Sequence, residues 1–517
     1  MPKKGRFTLK KPRSIAFFDE KQDYMKKNDN ACKVKKSMLY YSKTGNHACI
    51  YHSLEYEIVS KLTRSESDSV GTLEIPQDAY YGVQSLRGQQ NFQISGVKTH
   101  PLFIKNLARI KKAAALVNGR FGYITEETSK AIITACDEIL SGKFDKEFII
   151  DAIQGGAGTS VNMNVNEVIA NRATELLGGQ KGEYLCHPND HVNRAQSTND
   201  VIPTAGKLTV LDLSKPLLES LDKLINALLV KAEEFDGIIK IGRTQLQDAV
   251  PIRLGQEFHA YASALKRDCR RIRTALQEMQ VVNLGGTAIG TSINAQKLYV
   301  ENIVPTLASV CGYELSQAED LIDATQNVEC FVAVSSSLKT CAVNLSKMCN
   351  DLRLMGSGPR AGLSEIVLPA KQNGSSIMPG KINPVIPEVV SQVAFLAVGN
   401  DMTITMAAEA GQLELNAFEP IIFHKLFETL TCLTGAIDTL RENCIVGLQA
   451  NKARCEEEVY QSVGVVTALC PHIGYKKSAA LAKEALALGI SIQELILQKG
   501  LLEKEEMERI LDPYKMT

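Results

Sequence analysis

Residues 373–384 read NGSSIMPGKINP. Two glycines and two prolines break this stretch too often for a helix interior or a central strand. The pattern predicts a loop, with a long helical segment starting close behind it near Pro387. Ser375, Ser376, Lys381 and Asn383 all fall on that loop. So many hydrogen-bonding side chains beside one cation mark it as a candidate binding loop.

The flanks read as long helices. From Leu211 the apolar positions run Leu218, Leu221, Ile225, Leu228, Ala232 and Phe235. Spacings of three and four lay one stripe along a helix, and Pro216 predicts its start or a kink. A second stripe runs Leu254, Phe258, Tyr261, Leu265, Ile272, Leu276 and Met279. A third runs Phe331, Val334, Leu338, Leu345, Met348 and Leu352, and a fourth pattern occupies Pro387 to Leu448. Helices this long predict a bundle, with apolar flanks that pack against further subunits.

Three more polar loops interrupt the helices: GGAGTSVNMN at 155–164, QSTND at 196–200 and GRTQLQD at 242–248. Singly, each reads as a helix N-cap, since Ser, Thr and Asn side chains satisfy free N–H groups there. Four such loops exceed what capping requires. They supply neutral donors, one lysine and little negative charge, a set that suits a small dicarboxylate.

Composition bounds the rest. At 517 residues the chain can bury a large core. Its 58 basic and 58 acidic residues balance, so no field draws nucleic acid to the whole chain. No apolar run reads as long enough to span a bilayer. The 13 cysteines are scattered without a CxxC pair, which points to reduced thiols in a cytoplasmic protein rather than disulfides or a zinc site. No metal and no cofactor are expected to be required. The first 60 residues, with MPKKGRFTLKKPRS and KVKKS, read as a basic, disordered extension dispensable for assembly and activity.

The loop at 373–384 resembles the signature of the fumarase/aspartase superfamily, whose members cleave C–N or C–O bonds and release fumarate. The likeness extends from about Arg64 to the C-terminus. It is carried by RSESDSVGTLEIPQDAYYGVQSLR (64–87), GGAGTSVNMNVNEVIANRA (155–173), GRTQLQDAVPIRLGQEF (242–258) and SGPRAGLSEIVLPA (357–370). The resemblance implies an all-α fold in three domains, here 61–198, 199–453 and 454–517. The long-helix bundle of the middle domain would assemble into a tetrameric core. Each active site would form where three subunits meet, acting on a small-molecule substrate with no nucleic acid or membrane partner.

Matched position by position, the resemblance gives Ser375 as the base that removes a Cβ proton. Lys381 and Asn383 would hold the α-carboxylate of the substrate. Thr159, Ser197, Thr198 and Ser376 would hold the β-carboxylate, with Asn199, Thr244 and Gln245 near the departing amino group. Two activities remain inside the family: ammonia release from L-aspartate, and the hydratase reaction of class II fumarases. Ser160 after Thr159, Thr198 in STND, and Gln245 where fumarases carry histidine favour ammonia release. His187-Pro188-Asn189-Asp190 points the other way, since it resembles an accessory anion site of class II fumarases. It lies outside the catalytic motifs. Intact matched positions count against a non-catalytic role, and no nucleic-acid-reading motif accompanies the basic N-terminus.

Overall fold

The structure, a computed structural model, describes residues 62–517. The N-terminal extension expected at 1–60 lies outside the described residues. Five long helices close a ring: Thr198–Glu234, Leu254–Leu276, Glu329–Met355, Val385–Glu409 and Glu419–Leu440. The third stripe behaves as its period predicts, with Phe331, Val334, Leu338, Leu345, Met348 and Leu352 all buried. The fourth pattern is two helices rather than one, separated by residues 410–418.

The first bundle helix starts well before Leu211, at Thr198, and runs 37 residues through both Pro203 and Pro216, about 55 Å at 1.5 Å per residue. A proline inside a helix leaves the carbonyl four residues earlier without its N–H partner. For Pro203 that carbonyl belongs to Asn199, and the Asn283 side chain donates to it at 3.0 Å instead. The proline therefore frees a backbone acceptor beside the QSTND loop, and a second segment of chain uses it.

Contrary to the reading that no segment is long and apolar enough, Val385–Glu409 passes that test for crossing a membrane by length and composition. Its inner face is that of a bundle helix. Asn400 and Asp401 are buried there, with Asp401 accepting from Ser335 at 2.8 Å and from Lys339 at 2.5 Å. Its outer face carries Phe395, Val398, Met402 and Met406, of which Phe395 is 67% exposed and Met406 65%. Spacings of three and four make these one stripe along the helix.

Helices Pro101–Arg120, Glu126–Leu140 and Thr159–Leu176 cover one end of the bundle and share its core. The C-terminal helices Lys452–Gln461, Tyr475–Leu488, Ile492–Gln498 and Lys504–Ile510 build a second, smaller core. That core includes two residues from far upstream, Ile239 and Ile241. They belong to an antiparallel hairpin, Ile239–Thr244 paired with Gln247–Arg253. The GRTQLQD loop is thus a hairpin tip and not a helix cap. Among the described cysteines none forms a disulfide, and most are buried.

Candidate active site

The 373–384 loop is closed at its neck. Gly374 N–H donates to Lys381 O at 2.9 Å, and Asn383 Nδ2 donates to Gly374 O at 2.7 Å. A Cβ on Gly374 would stand 2.3 Å from Lys381 O, so only glycine lets the strands of the neck meet. Inside this ring the Ser375 hydroxyl oxygen accepts two backbone N–H groups, Ile377 at 3.2 Å and Met378 at 3.0 Å. Donors aimed at an oxygen favour negative charge on it. Ser376 and Lys381 on the same loop are exposed.

Thr159 opens the helix Thr159–Leu176 after three consecutive residues of positive φ, Gly156, Ala157 and Gly158. Its side chain is exposed and donates to Gly156 O at 2.7 Å. Ser197 caps the helix Thr198–Glu234, its hydroxyl accepting from Asn199 N–H at 3.3 Å while Asp200 Oδ1 accepts from Ser197 N–H at 2.9 Å. Such a cap contributes about 1 kcal/mol, so its worth lies as much in placing Thr198 and Asn199. The two helix starts are neighbours: Asn162 Nδ2 donates to Thr198 Oγ1 at 3.3 Å, and a Cβ on Gly158 would touch Ile202 at 3.0 Å. Asn199 is fixed by donating to Ala288 O at 2.7 Å.

Beneath these helix starts lies a buried polar layer that the sequence reading missed. Lys111 Nζ donates to Asn193 Oδ1 at 2.7 Å, and that oxygen also accepts from Asn166 and Asn162. Asp200 Oδ2 accepts the N–H groups of Gly285 and Thr287, which ties the 283–290 loop to the cap. Burial pushes the Asp200 carboxyl up to about 6 and the Lys111 ammonium down to about 7, and their mutual attraction opposes both shifts. The one sequence signal was Asn162 and Asn166, four apart on one helix face.

Thr244 and Gln245 sit exposed at the hairpin tip. Gln245 and Leu246 both have positive φ, 53° and 62°. That is the two-residue turn a hairpin prefers, made without the usual Asn-Gly. Two left-handed non-glycine residues cost about 1–3 kcal/mol each. Burial of Ile239 and Ile241 at the other end of the strand stabilises by a similar amount, about 1.5–3 kcal/mol each.

The chain therefore presents three separate polar groups: the helix starts with Thr159, Ser197, Thr198 and Asn199; the hairpin tip with Thr244 and Gln245; the loop with Ser375, Ser376, Lys381 and Asn383. Among the described residues no hydrogen bond joins one group to another. Thr159 faces a cleft of about 730 Å³ whose walls include Arg87, Ser160, His187 and Asn189. His187, Pro188 and Asn189, which lie outside the matched motifs, share this cleft with Thr159. A second cavity, of about 380 Å³, is walled by Phe103, Phe423 and Phe427, and its surface is mostly apolar.

Known proteins resemble this chain over almost all of the described region. The family described as Lyase matches residues 71–399, and the one described as Fumarase C C-terminus matches 465–517. An aspartate ammonia-lyase of a Bacillus species is 52% identical over 455 residues, 88% of this chain and 97% of that protein. The aspartate ammonia-lyase of Escherichia coli K12 is 50% identical over 87% of this chain and 95% of its own length. Among solved structures, a fumarate lyase:delta crystallin of Brucella melitensis aligns with a TM-score of 0.86 at 49% identity, covering 88% of this chain and 99% of that one. A class II fumarase of Schistosoma mansoni aligns equally well, TM-score 0.86 over 88% of this chain and 99% of that one, but at 37% identity.

Proposed function

We infer that this chain, which belongs to the fumarase/aspartase superfamily, catalyses the reversible elimination of ammonia from L-aspartate to give fumarate. It is a carbon–nitrogen lyase of the aspartate ammonia-lyase type. Relatives of that activity are 50–53% identical across almost nine-tenths of the chain, whereas the aligned fumarase is 37% identical.

Ser375 is the base in this reading, supported by the two N–H groups that face its oxygen. A serine hydroxyl is a poor base in water. Backbone donors and the nearby Lys381 cation lower the cost of its alkoxide, and closure of the loop over the substrate strengthens both by excluding water. Taking the Cβ proton of L-aspartate leaves a carbanion delocalised into the β-carboxylate, an enediolate with two negative oxygens. Ser197, Thr198 and Ser376 donate to that developing charge, joined by Thr159 once its hydroxyl turns from Gly156 O, and the C–N bond then breaks to release ammonia and fumarate. Lys381 and Asn383 hold the α-carboxylate. Asn199, Thr244 and Gln245 surround the amino group, and Gln245 offers an amide where a histidine would offer an acid–base group.

The site is completed by other copies of the chain, as a homotetramer. Two observations support this. The three polar groups stay apart within one chain, and the Val385–Glu409 helix exposes an apolar stripe that a monomer would leave in water.

Purified protein given L-aspartate should release fumarate, followed by its ultraviolet absorbance, and give none from L-malate. Fumarate from L-malate alone would establish the hydratase instead. Separately, mixing inactive Ser375→Ala and Thr244→Ala subunits should restore activity after subunit exchange, because some sites then draw both intact groups. Mixed oligomers that stay dead would defeat shared sites.

A further inference from the structure

At the base of the hairpin tip, two cations converge on one buried carboxylate. Arg243 Nη1 donates to Glu365 Oε1 at 2.6 Å, and Lys240 Nζ lies 3.2 Å from Glu365 Oε2. The Glu365 side chain is wholly buried and that of Lys240 nearly so. Arg243 uses its other arm on Glu458 Oε2, at 2.7 Å, and Lys240 also holds Glu257 at 2.9 Å. Residues three apart on a regular strand point to opposite faces. Here the ladder slips register between Ile241 and Arg243, and both cations reach the same carboxylate.

The carboxylate is itself anchored. Glu365 N–H donates to Met355 O, at the end of a bundle helix, and Glu365 O accepts from Asn451 N–H, at 2.9 and 2.8 Å. Glu458 comes from the C-terminal helix Lys452–Gln461. Arg243 is thus gripped from two directions by parts of the chain that do not belong to the hairpin. The residue after Arg243 is Thr244, and the two after that are the left-handed pair Gln245 and Leu246. A backbone held in a sparsely populated conformation persists when its surroundings over-determine it.

We propose that Arg243 is a positioning residue for the elimination, clamped by Glu365 and Glu458 so that the strained tip presents Thr244 and Gln245 to the amino group of the substrate. This rests on the ammonia-lyase reading above. Arginine is needed because its planar fork meets two carboxylates at once, which a lysine ammonium does not reproduce. The clamp acts on the leaving-group end only; the carboxylate-binding groups on the other loops do not depend on it.

The test uses the full-length enzyme carrying Arg243→Lys and, separately, Glu458→Gln, a substitution at the rim of the cluster that leaves Glu365 paired with both cations. Turnover of L-aspartate is measured beside inhibition by succinate, which has both carboxylates and no amino group. Each variant should lose about tenfold or more in kcat, the scale of a small misplacement near reacting atoms, while succinate inhibition stays within about twofold. Adding Leu246→Gly, which relieves one left-handed residue at an exposed site, should return at least about a third of the lost turnover. Should Arg243→Lys fail to fold, Glu458→Gln decides alone. Wild-type turnover in either folded variant overturns the clamp. So does a succinate affinity that falls in step with kcat, which marks general damage, or an absence of rescue by Leu246→Gly. A wild-type enzyme that releases no fumarate from L-aspartate would instead defeat the assigned reaction.

Discussion

Ser375→Ala should abolish ammonia release from L-aspartate and leave a folded protein that still binds succinate. Removing a positioned base typically costs 10²–10⁴-fold, about 3–5.5 kcal/mol of barrier. Little packing is lost with the hydroxyl. Ser375 lies on an open loop, and its bonds are to the neighbouring N–H groups of Ile377 and Met378. Substitutions away from cores and caps stay within about 0.5 kcal/mol of wild-type stability. In the proposed site Thr159, Thr198, Lys381 and Asn383 remain to hold the two carboxylates, so the inhibitor should bind almost as before. A collapse of kcat at constant inhibitor affinity identifies an interaction made in the transition state. Should the variant keep more than about a tenth of wild-type turnover, a loss under ~1.4 kcal/mol, another group must be the base.

Gly464→Ala should be nearly as damaging, through structure rather than chemistry. Gly464 lies in the turn Val463–Leu469, pressed against the strand Gln247–Arg253. An added Cβ would stand 1.8 Å from Ala249 O, a backbone atom that has no rotamer by which to retreat. Strand and turn must separate, and overpacking of this kind costs about 1–3 kcal/mol, occasionally more. The loss falls on the small C-terminal core and on the hairpin that shares it. Limited proteolysis should therefore cut the C-terminal helices faster, with turnover falling alongside. Gly237→Ala is the control, since a Cβ there meets nothing within 4 Å. Equal resistance of the two variants to protease would sink the argument.

The bundle was legible because period-3.6 stripes on long helices have one physical meaning: Phe331 through Leu352 read as buried and are buried. The hairpin was not. Its tip is Gln-Leu, with none of the Asn or Gly that marks a two-residue turn, and a polar run bordered by an apolar helix reads as a cap. The start of the first bundle helix was misplaced for a related reason. Pro203 and Pro216 are breakers by rule, and only the donation from Asn283 to Asn199 O shows how one of them is accommodated. That 373–384 is a loop presenting Ser376 and Lys381 to solvent was readable from its glycines and prolines. The buried chemistry was not: Lys111, Asp200, Lys240 and Glu365 are titratable groups that a sequence reader assigns to water, and only tertiary contacts reveal the partners each meets inside the protein.

The inclusion of Ile239 and Ile241 in the C-terminal core has a consequence for how the enzyme is made. Val459, the first C-terminal residue of that core, leaves the ribosome about 220 residues after Ile239, an interval of roughly 11–44 s at about 5–20 residues per second. By its end all five bundle helices have been synthesised, yet Ile239 and Ile241 still lack the C-terminal residues they pack with. A chain interrupted before Glu458 has Ser375, Lys381 and both helix starts, while its hairpin is without that core and Arg243 is without its second carboxylate. On the proposed reading, competence toward the substrate waits on residues from Glu458 onward, none of which is assigned to the site.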